Sequence, residues 1–233
     1  MFPIRDNVPS RSFPVVTVLL IAVNTVIFLY EVALGSRGLT GFIAQNALIP
    51  SQVTAHFSEA ASAPRQAFLP FFTSMFLHGG WLHLIGNMWF LWIFGDNVED
   101  RLGHVRFLVF YVLCGLLGNL AHYALNTASH LPALGASGAI AGVLGAYVLS
   151  YPGARILVLL PIFFFIQFVE LPALVVLGFW FVLQFLSGAA SVVASSEGGG
   201  TAWWAHIGGF LGGMAVFYLF RPRPRSYYVR RES

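Results

Sequence analysis

Apolar residues run along this chain in long uninterrupted stretches, and polar residues arrive in short clusters between them. A helix crossing a ~30 Å hydrocarbon core needs about 20 apolar residues. The first stretch, residues 14 to about 34, meets that length. Residues 35 to 64 form a long connection of mixed polarity, with Arg37, His56 and Glu59 in it and Arg65 just beyond. Its apolar pieces, Phe42-Ile43 and Ala47-Leu48-Ile49, predict a loop folded onto the membrane surface. Loops longer than about 15 residues in compact domains are often functional. An apolar stretch over 67–77 is broken by His78-Gly79-Gly80, and a second span is predicted over about 81–97. A charged turn from Asp96 to Gly103 leads into a third span over about 105–125. A polar loop over 126–134 precedes a fourth span, from Ser137 to about Tyr151-Pro152. The apolar residues 156–194 are numerous enough for two spans, but 156–169 is short for a crossing and stops at Glu170-Leu171-Pro172. That piece is predicted to be interfacial or re-entrant, with a fifth span over 170 to about 190. Gly198-Gly199-Gly200 makes a turn before a sixth span over 203–220.

Composition makes the setting a membrane. Of 233 residues 58% are hydrophobic and 9% charged, against about 25% charged in a soluble domain. Continuous rather than alternating runs exclude a barrel. The predicted fold class is therefore an all-α polytopic membrane protein, a six-transmembrane-helix bundle with a long membrane-associated first loop. The membrane domain spans 14–220, between a polar tail at 1–13 and a basic tail at 221–233. The opening residues are too polar and proline-rich for a cleaved signal peptide, so the first span should persist. A single Cys114 excludes an intramolecular disulfide framework and a cysteine metal cluster.

All the basic charge is arginine. Six spans put both termini on one side, together with Arg5, Arg11, Arg101, Arg106, Arg155, Arg221, Arg223, Arg225, Arg230 and Arg231, and leave Arg37 and Arg65 opposite. That bias predicts cytoplasmic termini. The basic tail then suits anionic lipid rather than nucleic acid. Short tails without a presequence fit a bacterial plasma membrane.

The same topology gathers chemistry at one depth. Ser137 stands at the outer end of the fourth span, His206 one turn into the sixth, and His83 and Asn87 in the outer half of the second. Polar side chains within spans are costly and usually mark function. His83 and Asn87, four residues apart, share a helix face. Glycines at 138, 142 and 145 on the fourth span, and at 208, 209, 212 and 213 on the sixth, let those two backbones approach closely. Their contact would set the His206 ring against the Ser137 hydroxyl. A serine needs a base to become a nucleophile, and His206 can be that base. Ser137 also opens a helix, whose free N–H groups suit an oxyanion, and His83 and Asn87 can add donors. No carboxylate is expected at this depth: Asp96, Glu99, Asp100 and Glu170 fall at the inner side, and Glu59 and Glu197 in outer loops. A Ser–His dyad without an acidic third member is the prediction. A metal held by His78, His83 and His206 is disfavoured, because no HExxH and no neighbouring carboxylate accompanies them. Asn119 and His122 face the bundle without assigned chemistry, and Trp89, Trp92 and Trp180 read as packing or lipid-facing residues.

These residues resemble the rhomboid intramembrane serine proteases. Gly135-Ala136-Ser137-Gly138 is similar to the family's GxSG motif, and Ala205-His206-Ile207-Gly208-Gly209 to its AHxxG motif. His78, His83 and Asn87 match HxxxxHxxxN, and Glu99-Asp100-Arg101-Leu102-Gly103 matches an ExRxG element that helps hold the inner end of the second span. The resemblance covers about residues 14–220. It implies nucleophile Ser137, base His206, and an oxyanion hole of His83, Asn87 and the Ser137 N–H, with His78 and Gly135 supporting. It also implies a water-filled cavity over the dyad, no metal or organic cofactor, and cleavage of transmembrane proteins, commonly single-span ones, within or next to their membrane segments. Where some members place an aromatic residue that stacks on the imidazole, this chain has Ala141, so Trp203, Trp204 or a residue of the second span is expected to orient the ring. The competing readings are an inactive relative that binds or escorts membrane clients, and a small transporter. The transporter would show repeated halves with ionisable groups at mid-depth, and neither is found in the sequence.

Overall fold

A computed structural model of the protein describes residues 2–58, 64–162, 165–193 and 202–220. Strand β1 (Phe2–Asp6) is followed by helix α1 (Val15–Ala33). The first loop then forms three short helices, α2 (Gly35–Asn46), α3 (Pro50–Ser58) and α4 (Pro64–Thr73), and a 3-10 turn, Ser74–Phe76. Helices α5 (Trp81–Leu102), α6 (His104–Leu125) and α7 (Ser137–Ser150) come next, then strands β2 (Arg155–Ile162) and β3 (Phe165–Pro172), and finally α8 (Ala173–Val193) and α9 (Trp203–Phe220). The expectations placed on Glu59, Glu197, the glycine turn 198–200 and the basic tail 221–233 lie outside the described residues.

Four helices among the described residues, α1, α6, α8 over 173–190 and α9, are long and apolar enough to cross a bilayer. Residues 67–76 and α5 pass the same test of length and composition together, bent by 81° where His78-Gly79-Gly80 interrupts the run. Helix α7, 14 residues long, is wrapped by its neighbours and buried from Gly138 to Tyr147. The protein is a polytopic helical membrane bundle, as the apolar pattern predicts.

The glycine stripes make the contacts read from the sequence. A Cβ on Gly209 would sit 2.0 Å from the Gly138 carbonyl oxygen, and one on Gly213 would sit 2.4 Å from the Gly142 Cα. Helix α6 joins the same cluster, since a Cβ on Gly118 would lie 2.6 Å from the Ala205 carbonyl oxygen. Helices α6, α7 and α9 therefore pack backbone to backbone, which fixes the start of α7 against the start of α9.

The region 156–169 departs from expectation. It is not a lone segment: β2 and β3 form an antiparallel hairpin, and β1 adds a third strand on the β2 side. A short apolar run does not reveal by periodicity whether it is helix or strand, and this one is rich in Ile, Val and Phe, which favour strands. Pairing satisfies the backbone groups that a short unpaired segment would leave open. Ile156 and Val158 are buried in the main core, while Leu157 and Leu159 alternate with them. Glu170 and Leu171 belong to β3, so the fifth span begins at Ala173, after Pro172. The N-terminal residues also pack onto the bundle: the Trp89 indole N–H donates to the Pro3 carbonyl at 2.7 Å, and Phe2 lies against the same indole.

Candidate active site

Ser137 is the first residue of α7, so its N–H has no carbonyl one turn back within the helix. The loop before it is tied from two sides. Leu48 and Ala133 exchange backbone hydrogen bonds of 3.0 and 2.8 Å, which join the first loop to the approach of Ser137. Gly135 N–H donates to the Ser74 carbonyl at 2.8 Å. Asn119 of α6 in turn donates to the Ser74 hydroxyl at 2.9 Å and to the Phe71 carbonyl at 2.7 Å. Asn119, without assigned chemistry in the sequence, is thus an anchor for this loop. Gly135 adopts φ +124°, and a Cβ there would fall 2.7 Å from His83 Nε2. Only glycine fits on both counts.

His206 lies in the first turn of α9 and is 8% exposed. Its Nε2 is 2.7 Å from Ser137 Oγ. Its Nδ1 is 2.6 Å from Oε1 of Gln184, in the middle of α8. Trp180, one turn before Gln184, lies over the ring at 5.8 Å and 35°, and Trp203 meets it edge-on at 6.3 Å and 89°. The vacancy left by Ala141 is therefore covered from α8 and α9: Trp203 as expected, and Trp180 and Gln184 in addition.

The second helix of the site supplies donors. Gly79 N–H donates to His83 Nδ1 at 3.3 Å, so the ring hydrogen stands on Nε2, which faces Gly135. Asn87 Nδ2 is buried and finds no hydrogen-bond partner among the described residues. It lies 3.5 Å from the same point above Gly135. Ser137, His206, His83 and Asn87 line one cavity of about 540 Å³, together with Pro132 and Ala202. Buried polar groups nearly always find partners, so an open amide donor aimed into a cavity is a place for an acceptor that arrives with a ligand.

His78 does not line that cavity. It is 3% exposed, with its ring 5.2 Å from that of His83. Its backbone N–H donates to the Glu31 carboxylate at 3.2 Å. Glu31, in the last turn of α1 and 2% exposed, revises the expectation that no carboxylate lies at the depth of these side chains. It holds the backbone at His78 and makes no hydrogen bond to the dyad.

The residues missed in the sequence were Gln184, Trp180 as a ring neighbour, and Glu31. Two carried a signal. Gln184 interrupts an apolar run from Leu174 to Leu186, and Glu31 is the one charged residue of the first span. Either polarity inside a span was reason to look for a partner.

The Rhomboid domain matches residues 65–223, more than half of the chain. The chain belongs to the rhomboid family. It is 34% identical over 142 residues to the mouse presenilin-associated rhomboid-like protein, mitochondrial, covering 56% of this chain and 38% of that protein. It is 33% identical over 155 residues to RHOMBOID-like protein 5 of Arabidopsis thaliana, covering 66% of this chain and 45% of the relative. It is 37% identical over 76 residues to the putative rhomboid protease YdcA of Bacillus subtilis, covering 33% and 38%. The matched region spans less than half of each relative's length. Relatives named mitochondrial lend no support to the expectation of a bacterial plasma membrane.

Proposed function

We propose that this rhomboid-family protein is an intramembrane serine endopeptidase that cleaves transmembrane proteins within or next to their membrane segments. The observation that carries the reading is the 2.7 Å approach of Ser137 Oγ to His206 Nε2 at the wall of a cavity that His83 and Asn87 also line. In the proposed reaction His206 Nε2 takes the Ser137 proton as Oγ attacks the substrate carbonyl carbon. The Ser137 N–H, His83 Nε2–H and Asn87 Nδ2–H receive the charge that develops on the carbonyl oxygen, and removing one such donor typically costs 10²–10³ in rate. The C–N bond then breaks as His206 returns the proton to the leaving amine. Water, deprotonated by His206, hydrolyses the acyl-Ser137 ester. The substrate helix must unwind locally, because an intact helix keeps its carbonyls in hydrogen bonds.

Residues 14–220 form the membrane domain in this reading, with 1–13 and 221–233 on the cytoplasmic side. The pairing of Arg5 opposite Leu157, close to Arg155, supports one arginine-rich end. The test uses purified protein in lipid with a single-span substrate, beside Ser137→Ala and His206→Ala. Cleavage at one position by the wild type alone is expected. Cleavage that survives loss of Ser137 contradicts the mechanism. A folded wild type that binds the substrate without cutting it points to a client-binding relative instead.

A further inference from the structure

Helix α8 is an outer wall of the bundle. Phe179, Val182, Phe185 and Leu186 are exposed on it, as a lipid-facing surface requires. Its other face points at α9: Leu177 is buried, Trp180 lies over the His206 ring, and a Cβ on Gly188 would lie 3.3 Å from Trp203 Cβ. Gln184 sits in that inner stripe, and its Oε1 is 2.6 Å from His206 Nδ1. A primary amide in a membrane helix is costly unless hydrogen-bonded. Here its acceptor meets the one imidazole nitrogen that Ser137 leaves free.

The chemistry of imidazole gives that contact a direction. A neutral ring carries one hydrogen, on Nδ1 or on Nε2. For Nε2 to accept the Ser137 proton, the hydrogen must reside on Nδ1. An acceptor at Nδ1 selects that tautomer and orients the ring. Among the described residues no carboxylate hydrogen-bonds this ring, and the other titratable groups facing it are His83 from α5 and His122 from α6. The amide oxygen therefore fills the place of an acidic third member, without its charge.

We infer that Gln184 is a positioning residue for the Ser137–His206 pair, so that docking of the wall helix α8 against α9 is a condition for Ser137 to be reactive. The inference rests on the peptidase reading above. Displacing α8 outward would remove the Nδ1 acceptor and the Trp180 ring together, leaving Ser137 in place but without an oriented base.

The experiment compares wild type, Ser137→Ala, Gln184→Met and Gln184→Glu in lipid. It reads labelling by a small fluorophosphonate and cleavage of a single-span polypeptide across a pH series. Methionine keeps the volume and removes the acceptor. Labelling and kcat are both expected to fall by about 100-fold with KM unchanged, as for a misoriented catalytic group. Glutamate keeps an acceptor and adds charge. The rate should return at high pH while the acid limb moves up by about one pH unit, because a carboxylate beside the ring favours the imidazolium. Wild-type labelling by Gln184→Met overturns the inference. So does a loss confined to the polypeptide, which would make Gln184 a substrate contact. Should Gln184→Met fail to fold, an acid limb unmoved in Gln184→Glu overturns it. A folded wild type that neither labels nor cuts removes the peptidase reading itself, a different failure.

Discussion

The two ends of the bundle treat buried polar groups in opposite ways. At the end that carries the sheet, the buried carboxylates of Glu99 and Asp100 and the half-buried one of Asp6 are met by donors. Glu99 accepts from the backbone N–H groups of Val16 and Thr17, from the Thr17 hydroxyl at 2.7 Å, and pairs with His104 Nδ1. Asp100 accepts from the N–H groups of Arg11 and Ser12 and from the Ser12 hydroxyl. Asp6 accepts from the Tyr147 hydroxyl at 2.5 Å and from Asn97 at 3.0 Å. At the other end, Asn87 keeps a buried N–H that meets no acceptor among the described residues, at the wall of the cavity that Ser137 and His206 also line. The difference separates two uses of polarity in an apolar protein. Carboxylates that hold helix ends together are met by donors, because an open polar group costs about 1–3 kcal/mol and a charged one more; beside them only single atoms such as Asn97 Oδ1 and Arg101 Nε are left without a partner among the described residues. Polar groups arranged for chemistry keep a free valence for the transition state.

Substitutions at the two ends should therefore fail differently. The largest effect belongs to the helix packing that serves both. Gly209→Leu would drive a side chain into the Gly138 backbone, and the expected result is no folded protein in detergent extraction and size-exclusion profiles. Next comes Glu99→Ala, which leaves three donors and His104 without their acceptor. A loss of about 3–5 kcal/mol is expected, as for a broken buried pair, read as a large fall in thermal stability with activity per folded molecule retained. Asn87→Ala reverses that signature: kcat falls by about 10²–10³, while stability changes by under about 1 kcal/mol, since the amide N–H has no partner to lose. A stability loss as large as that of Glu99→Ala would erase the distinction between the ends.

The smallest effect is a pH dependence at the sheet end. Burial raises the Asp6 carboxyl to about 6, against the lowering effect of the Tyr147 hydroxyl and the backbone N–H groups it accepts from. The folded state then holds the Asp6 proton more tightly than the unfolded chain does. Stability should fall as pH rises from about 4 and level off above about 6. Asp6→Asn should flatten that part of the thermal-stability profile and leave the site end untouched.

How much of this was legible in the sequence depended on which signal each residue carried. Length and hydropathy placed the helices, and the glycine spacings of 138/142 and 209/213 predicted which two would touch. The positions of Ser137, His206, His83 and Asn87 in different spans followed from counting residues into each span. The sheet was hidden because eight apolar residues read equally as strand or short helix, and because β1 and β2 are about 150 residues apart. The ring's orientation was hidden for another reason. A sequence shows that Gln184 is polar in an apolar run, but the rotation of α8 that turns it toward α9 is decided by packing of Trp180 and Gly188. Glu31 was visible in the same way, and its partner, a backbone N–H at the His78 break, was not.

The most direct measurement is the mass of the fluorophosphonate adduct on the purified protein in lipid, mapped by fragmentation. An activated Ser137 predicts one adduct, on Ser137, formed by the wild type and lost in His206→Ala at equal folding. An adduct on another residue, or labelling of Ser137 at the wild-type rate without His206, would contradict the account of a serine activated by that imidazole.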